Sequence, residues 1–199
     1  AGWMPEEFDA VEAPPFEERG KVTDEYIDIY KELWTNDEPQ FHGNYRKFSN
    51  IYFSPKPIQT PHPPIWIGGE SKPAMRRAAK RGDAWFPIGC NPKHPLDTMP
   101  RWRAAVATIR SICDLEARDP DTLELAYWSV WTAATGDSIK ANDGERMMLT
   151  GSADAILDDI GKLKELGVSK LLFNFLAETE NETLDRIQAF SEDILSKTS

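Results

Sequence analysis

The residues that carry the most chemical information lie between Pro63 and Trp85, in the string PPIWIGGESKPAMRRAAKRGDAW. An apolar run of strand type ends in Gly68-Gly69. A helix then opens, with Ser71 placed to cap it and Pro73 in its first turn. Two glycines permit positive φ and let a ligand come close to the main chain. The first N–H groups of a helix have no partner inside it, and together with the helix dipole they hold phosphate well. Lys72 and Arg76 add positive charge, while Glu70 opposes it unless its side chain turns away. The same residues also fit an ordinary βα turn that uses glycine for geometry alone. Trp85 ends the next apolar run, where an aromatic ring serves equally as a cavity wall or as core packing.

Other constellations carry less. His42, His62 and His94 fall in loops or proline-rich segments without metal-ligand spacing, so no metal site is expected. Glu6, Glu7, Glu17 and Glu18 read as solvating a loop and a helix start rather than as paired catalytic carboxylates. The chain contains no GxSxG elbow, P-loop or GxGxxG, which counts against hydrolase, NTPase and Rossmann readings. The stretch Thr132–Leu149, rich in Ala, Gly, Asp and Lys, fits a mobile substrate lid or a plain surface loop. Lys140 and Arg146 are its candidate anion contacts.

These residues need a scaffold, and composition bounds it. The chain has 199 residues, 33 acidic against 23 basic, a formal charge of -10, and 40% hydrophobic residues. That is enough apolar content for an ordered core. The acidic balance argues against nucleic acid or an anionic membrane as partner. No apolar run approaches the roughly 20 residues of a bilayer span. Cys90 and Cys113 form no CxxC pair and suit a reducing, cytoplasmic setting. The chain opens Ala1-Gly2-Trp3-Met4, so it reads as processed or as a piece of a longer polypeptide.

Apolar residues at spacings of three and four predict helices over Thr23–Trp34, Thr98–Leu115, Ala153–Leu166 and Glu182–Lys197, with a shorter one over Pro73–Arg81. Ser152 is the expected cap of the third, and Gly167 its stop. Between the helices lie apolar runs at 64–69, 83–88, 123–131 and 168–175. They do not alternate cleanly, as expected for parallel strands covered on one or both faces. The βα alternation predicts an α/β protein with a parallel sheet in a single domain, 1–199. Residues 36–63 interrupt the rhythm and read as an insertion, with a hairpin-like stretch at FHGNYRKF and then proline-stiffened extended chain.

The central string resembles that of the bacterial luciferase-like monooxygenase superfamily, whose FMN- or coenzyme F420-dependent members carry a proline-rich lead, a PPIW-GG strand and an A-RRAA-GD-W helix. The segments GWMPEEF, PFEERG, TDEYID, Leu33-Trp34 and FHGNYRKF resemble the family in the same order, and Ser152–Phe175 resembles its last βα unit. The resemblance implies a (β/α)8 barrel with its site over the C-terminal ends of the strands. It assigns Ile67, Gly68, Gly69, Glu70 and Ser71 to the cofactor phosphate through main-chain amides. Gly2, Trp3 and Trp85 fall to the ring cavity. A barrel of this kind takes about 250 residues, so the chain corresponds to the C-terminal half, without the first four βα units. No catalytic residue is assigned, because the family's ring contacts come largely from that missing half. The implied activity is flavin- or deazaflavin-dependent oxidation of a small organic substrate, with a flavin reductase as partner in the FMN case. The alternative is a half-barrel with a structural or interaction role and no activity alone. Two open sheet edges call for pairing, with the missing half-barrel or in a homo-oligomer.

Overall fold

The computed structural model describes residues 2–132, 136 and 138–198. The chain divides into two compact units, Ala1–Ile65 and Trp66–Ser199. No helix among the described residues is long and apolar enough to cross a membrane.

The first unit consists of α1 (Pro5–Ala10), α2 (Arg19–Thr35) and a hairpin of β1 (Phe41–His42) and β2 (Lys47–Phe48). Proline in the first turn of α1, with Glu6 and Glu7 beside it, suits a helix N-terminus. The hairpin expected at FHGNYRKF is present, with Phe41 opposite Phe48 and their rings 6.0 Å apart. The buried face of α2 differs from the periodicity reading, which centred on Tyr26, Ile27, Tyr30, Leu33 and Trp34. Val22, Glu25, Ile27 and Ile29 are buried, while Tyr30 is 47% exposed and stacks on Trp34.

Glu25 explains the shift. Its carboxylate accepts the main-chain N–H groups of Asn44 (2.6 Å), Tyr45 (2.9 Å) and Arg46 (2.7 Å), so a charged side chain on the apolar stripe closes the hairpin turn. Gly43 makes room for it, since a Cβ there would lie 2.4 Å from the Glu25 carboxyl carbon. Burial alone raises the pKa of this acid. The N–H groups of Arg46, Asn44 and Tyr45 outweigh burial and hold it below the ordinary value.

The second unit is a four-stranded sheet with helices alternating along the chain. Its strands are β3 (Trp66–Ile67), β4 (Ala84–Trp85), β5 (Glu124–Thr132) and β6 (Val168–Asn174). Its helices are α3 (Lys72–Arg81), α4 (Met99–Leu115), α5 (Ala153–Glu165) and α6 (Glu180–Asp193). All three strand pairings are parallel, in the order β3-β4-β5-β6. Each strand predicted from sequence is present, and each helix lies within a few residues of its predicted span.

The predicted stripe of α4 holds: Trp102, Val106, Ile109 and Cys113 are buried, with Trp102 between the rings of Trp85 and Tyr127. Ser152 caps α5 by accepting the N–H of Ala155, and Gly167 follows at φ +93°. Phe190 joins α6 to Phe173 on β6 and to Phe175 just beyond it, 4.6 and 5.2 Å away. Leu184 and Ile187 on the same helix stay exposed.

The sheet is strongly curved. β3 and β6 are its two edges, about 14 Å apart at ~4.8 Å per strand on a flat sheet. Yet Lys170 on β6 puts its ammonium 5.3 Å from the Trp66 ring on β3. Side chains from opposite edges meet across a concave face, as in the wall of a barrel.

A Glu25→Gln variant is expected to lose amide-exchange protection at Asn44–Arg46 while α2 stays folded. In the unaltered protein the latch contributes fully above the ordinary glutamate pKa of about 4.3 and is lost as pH falls through the lower folded value. The protection factor at the hairpin should therefore fall only in acid. Equal protection in the variant and the parent at neutral pH would remove the latch.

Candidate functional site

Parallel pairing sends the C-terminal ends of all four strands to the same side, where loops carry function in such sheets. At the end of β3 the chain turns through Gly68 and Gly69 into α3. Gly69 has φ +101°, and a Cβ there would lie 3.0 Å from that of Ala74, so the turn requires glycine. Ser71 caps α3, its hydroxyl accepting the Ala74 N–H at 3.4 Å. Pro73 has no N–H, and Met75 donates to the Ser71 carbonyl. Among the described residues, the main-chain N–H groups of Gly69, Glu70, Ser71 and Lys72 have no hydrogen-bond partner. Four consecutive donors at a helix start, with a positive-φ residue opening the concavity, have the chemistry to hold an anion.

Two side chains fix this turn. Trp85 is fully buried, its ring parallel to that of Trp102 at 5.4 Å, and its indole N–H donates to the Gly69 carbonyl at 2.9 Å. Trp85 thus realises the core-packing reading and meets the turn through its N–H. The Glu70 side chain turns back into the protein, 6% exposed. One oxygen accepts the Ile88 N–H at 2.8 Å and the other the Asn91 side-chain amide at 2.6 Å. Asn91 is itself oriented, because its oxygen accepts the N–H groups of Lys93 (3.0 Å) and His94 (3.2 Å). Ile88 and Asn91 therefore belong to the turn's support, although neither stood out in the sequence.

Ile67, Gly68, Gly69, Glu70, Ser71 and Trp85 are thus assembled within the second unit. Gly2 and Trp3 lie in the first. Gly2 lines an open cleft of about 340 Å³ with Phe8, Val11, Arg19, Tyr26 and Arg46, and Trp3 is 79% exposed. Of the cations near the turn, Arg76 is withdrawn, its guanidinium 3.1 Å from Glu116, and Lys72 remains exposed.

The concave face supplies an apolar wall. Trp66, Phe86 and Trp128 form a continuous row, with ring centroids 5.3 and 6.3 Å apart, and the ammonium of Lys170 is bound by Glu124. Next to Lys170 and the Ser169 hydroxyl, the Glu124 carboxyl sits below its ordinary pKa. Tyr127, on the opposite face, donates its hydroxyl to the Leu96 carbonyl at 2.8 Å. Burial holds that phenol well above its usual pKa, so it is a proton donor in the core and not a base.

The anion role considered for Arg146 is overturned. Asp159, buried on α5, takes its guanidinium at 2.7 and 2.8 Å, and the Thr150 carbonyl accepts from it at 2.7 Å. Residues 133–135 and 137 of the expected lid lie outside the described residues. The later part is tied down: Met148 and Leu149 are buried, and their N–H groups donate to the Asp97 carbonyl and to Asp159. Among the described residues no group of three or more His, Cys, Asp or Glu side chains is placed to hold a metal ion.

Fold and turn together define a class: α/β proteins with a curved parallel sheet, helices outside and a glycine turn with free main-chain donors at the C-terminal strand ends. The family model described as luciferase-like monooxygenase matches residues 1–124, and the chain belongs to that family. It is 29% identical over 215 aligned positions to the FMNH(2)-dependent dimethylsulfone monooxygenase of Pseudomonas putida, covering 88% of this chain and 59% of that protein. An uncharacterised protein of Mycobacterium tuberculosis is 38% identical over 106 positions, 53% of this chain and 34% of its own length. The chain thus spans little more than half of the first of these relatives and a third of the second. Among solved structures, the monooxygenase RslO1 from Streptomyces bottropensis superposes with a TM-score of 0.70 at 15% identity, covering 100% of this chain and 67% of its own. An F420-dependent secondary alcohol dehydrogenase does so with a TM-score of 0.62 at 18% identity, covering 94% and 64%. The fold is that of a partial (β/α)8 barrel, four strands where the closed barrel has eight.

A Trp85→Phe variant keeps an aromatic ring under the turn but leaves the Gly69 carbonyl without its donor, at a cost of about 1–3 kcal/mol. The expected outcome is a lower melting temperature together with faster amide exchange at residues 69–72. An unchanged melting temperature would show that the bond contributes nothing.

Proposed function

We propose that this chain is the cofactor-phosphate half of a flavin- or deazaflavin-dependent oxidoreductase acting on a small organic substrate. The observation that carries this reading is the row of unpartnered N–H groups at Gly69–Lys72, set over β3 by a turn that admits only glycine at its bend. The family membership supports it, as do relatives whose names specify FMNH(2) in one case and F420 in another. The donor set fits a phosphate: main-chain amides of a helix start, with Lys72 beside them and the Glu70 side chain turned inward.

In this reading Gly69, Glu70, Ser71 and Lys72 hold the phosphate, and Ile67 and Gly68 bring the chain to it. Trp85 and Glu70 keep the turn rigid, so that binding costs little ordering. The row Trp66, Phe86 and Trp128 walls the strand ends and keeps water from the space they enclose. The cofactor supplies the redox chemistry, dioxygen activation by reduced FMN or hydride exchange by the deazaflavin. A flavin reductase belongs to the FMN version alone. The assignment of Gly2 and Trp3 to the ring rests on the resemblance.

The reading also requires a partner for the sheet. β3 and β6 each pair on one side only among the described residues, and Leu184, Ile187 and Leu172 are 55%, 44% and 40% exposed nearby in sequence. Upstream βα units, or a second copy of the chain, would cover them.

Two measurements test the proposal. Fluorescence titration of the complete polypeptide should show saturable binding of FMN or coenzyme F420, weakened by Gly69→Ala, which strains a positive-φ position by about 1–3 kcal/mol. Binding of neither cofactor would sink the enzymatic reading. Residues 1–199 expressed alone should self-associate or form a complex with the upstream units in light scattering. A stable, soluble monomer would contradict the pairing requirement.

A further inference from the structure

The open cleft of the first unit holds two guanidiniums that no acid claims. Arg19 and Arg46 line it with Phe8, Val22 and Tyr26, around a volume of about 340 Å³. That is the lower end of the roughly 300–1,000 Å³ usual for small-molecule sites. Each guanidinium is supported from behind. That of Arg19 lies 3.9 Å over the Phe16 ring and donates one N–H to the Phe16 carbonyl at 2.9 Å. That of Arg46 lies 5.7 Å from the centre of the Tyr26 ring and donates to the Tyr45 carbonyl at 2.9 Å. Neither is within ion-pair distance of a carboxylate among the described residues, whereas Arg76, Arg101, Arg110 and Arg146 each are. A guanidinium has five N–H donors, so most of both sets remain for a ligand. The hairpin tip that carries Arg46 is anchored by Glu25, which accepts the Arg46 main-chain N–H at 2.7 Å. Arg46 is thus set at the cleft before a ligand arrives, which lowers the ordering cost of binding.

We propose that this cleft binds a small aliphatic carboxylate, the two guanidiniums taking its oxygens and Phe8, Val22 and Tyr26 its hydrocarbon part. The inference is separate from the phosphate assignment, which concerns the second unit. A planar guanidinium fork matches a planar carboxylate, and such charge-assisted hydrogen bonds are roughly twice as strong as neutral ones. Two acids stand against the cations: Glu12 in the lining, and Glu25 buried behind the hairpin turn with its oxygens committed to main-chain N–H groups. Neither reaches a guanidinium at ion-pair distance, and Coulomb energy falls with separation. A carboxylate in contact with Arg19 or Arg46 therefore gains more from them than it loses to the acids. A second negative charge on the ligand would find no further cation, which sets the ligand as a monoanion. An uncharged amide of the same shape offers one acceptor oxygen where the carboxylate offers two, and turns N–H groups toward N–H groups.

The test is calorimetric titration of the complete polypeptide with acetate, butyrate and hexanoate, and with hexanamide, the uncharged isostere of hexanoate. Hexanoate should bind saturably, about tenfold or more tighter than hexanamide, as a hydrogen bond to a charged group requires. Affinity should rise from acetate to hexanoate by up to about fourfold per methylene buried. Amide exchange with hexanoate bound should slow at residues 8–26 and 44–46. The double variant Arg19→Gln/Arg46→Gln should lose the preference for hexanoate and keep the affinity for hexanamide, whereas a misfolded variant would lose both ligands. The comparison of hexanoate with hexanamide in the unaltered protein decides the matter even where the variant fails to fold. Equal affinity for the two would overturn the role of the guanidiniums, and indifference to chain length would overturn that of the apolar walls. Hexanoate binding that survives the double substitution, or protection confined to residues 66–198, would place the ligand elsewhere and end the proposal, as would no saturable binding at all. None of these outcomes bears on FMN or F420 binding, so the two proposals stand or fall apart.

Discussion

A carbonyl that leaves a β-ladder without entering a helix must find a donor or forfeit a hydrogen bond, and the Gly69 carbonyl finds its donor in the core. The Trp85 indole reaches it from a fully buried ring stacked on Trp102, which in turn meets Tyr127 edge-on. One bond therefore ties the bend of the candidate site to the three largest buried side chains of the unit. The bend can present its amides outward because its carbonyl is held from beneath. The packing of α4 on β4 and β5 is thus a condition for the geometry of the turn, although α4 itself contributes no residue to it.

The same device recurs with buried acids. Glu25 on α2 gathers three N–H groups of the hairpin turn, Glu70 joins the β3 turn to Ile88 and Asn91, and Asp159 on α5 holds Leu149 and Arg146. In each case a carboxylate inside the protein fixes a loop whose main-chain donors would otherwise be unmatched. A net charge of -10 therefore overstates the acidity of the surface, since some of that charge is spent internally on holding loops.

The element order and the parallel sheet were legible because helix periodicity and short apolar runs report burial directly, and α4 and α5 kept their predicted stripes. The glycine turn was legible as well, since two glycines between an apolar run and a helix with a serine cap mark a bend that can need positive φ. The buried acids were not, because a charged residue reads by default as solvated. A signal was nevertheless present. Glu25 lies three residues after Val22 and four before Ile29, and Asp159 stands in the same relation to Ile156 and Leu163, so both acids fall on apolar stripes. Arg146 was misread for a related reason: a lone arginine in a loop suggests a ligand contact until the acid that claims it is seen. The partners of Glu70 lie 18 and 21 residues away, and local spacing carries no information at that range.

The concave face joins the problem of the fold to that of the site. A parallel sheet is stable when both faces are covered, and here α3, α4 and α5 supply buried residues behind the sheet while Trp128 and Leu172 in front remain 39% and 40% exposed. The aromatic row from Trp66 to Trp128 has the composition of a core and the exposure of a surface. On the proposed reading, whatever covers it also sets the dielectric beside the turn. Closing the face removes water from around Lys170, Glu124 and the amides of Gly69–Lys72. The attraction of those amides for an anion rises as that water leaves.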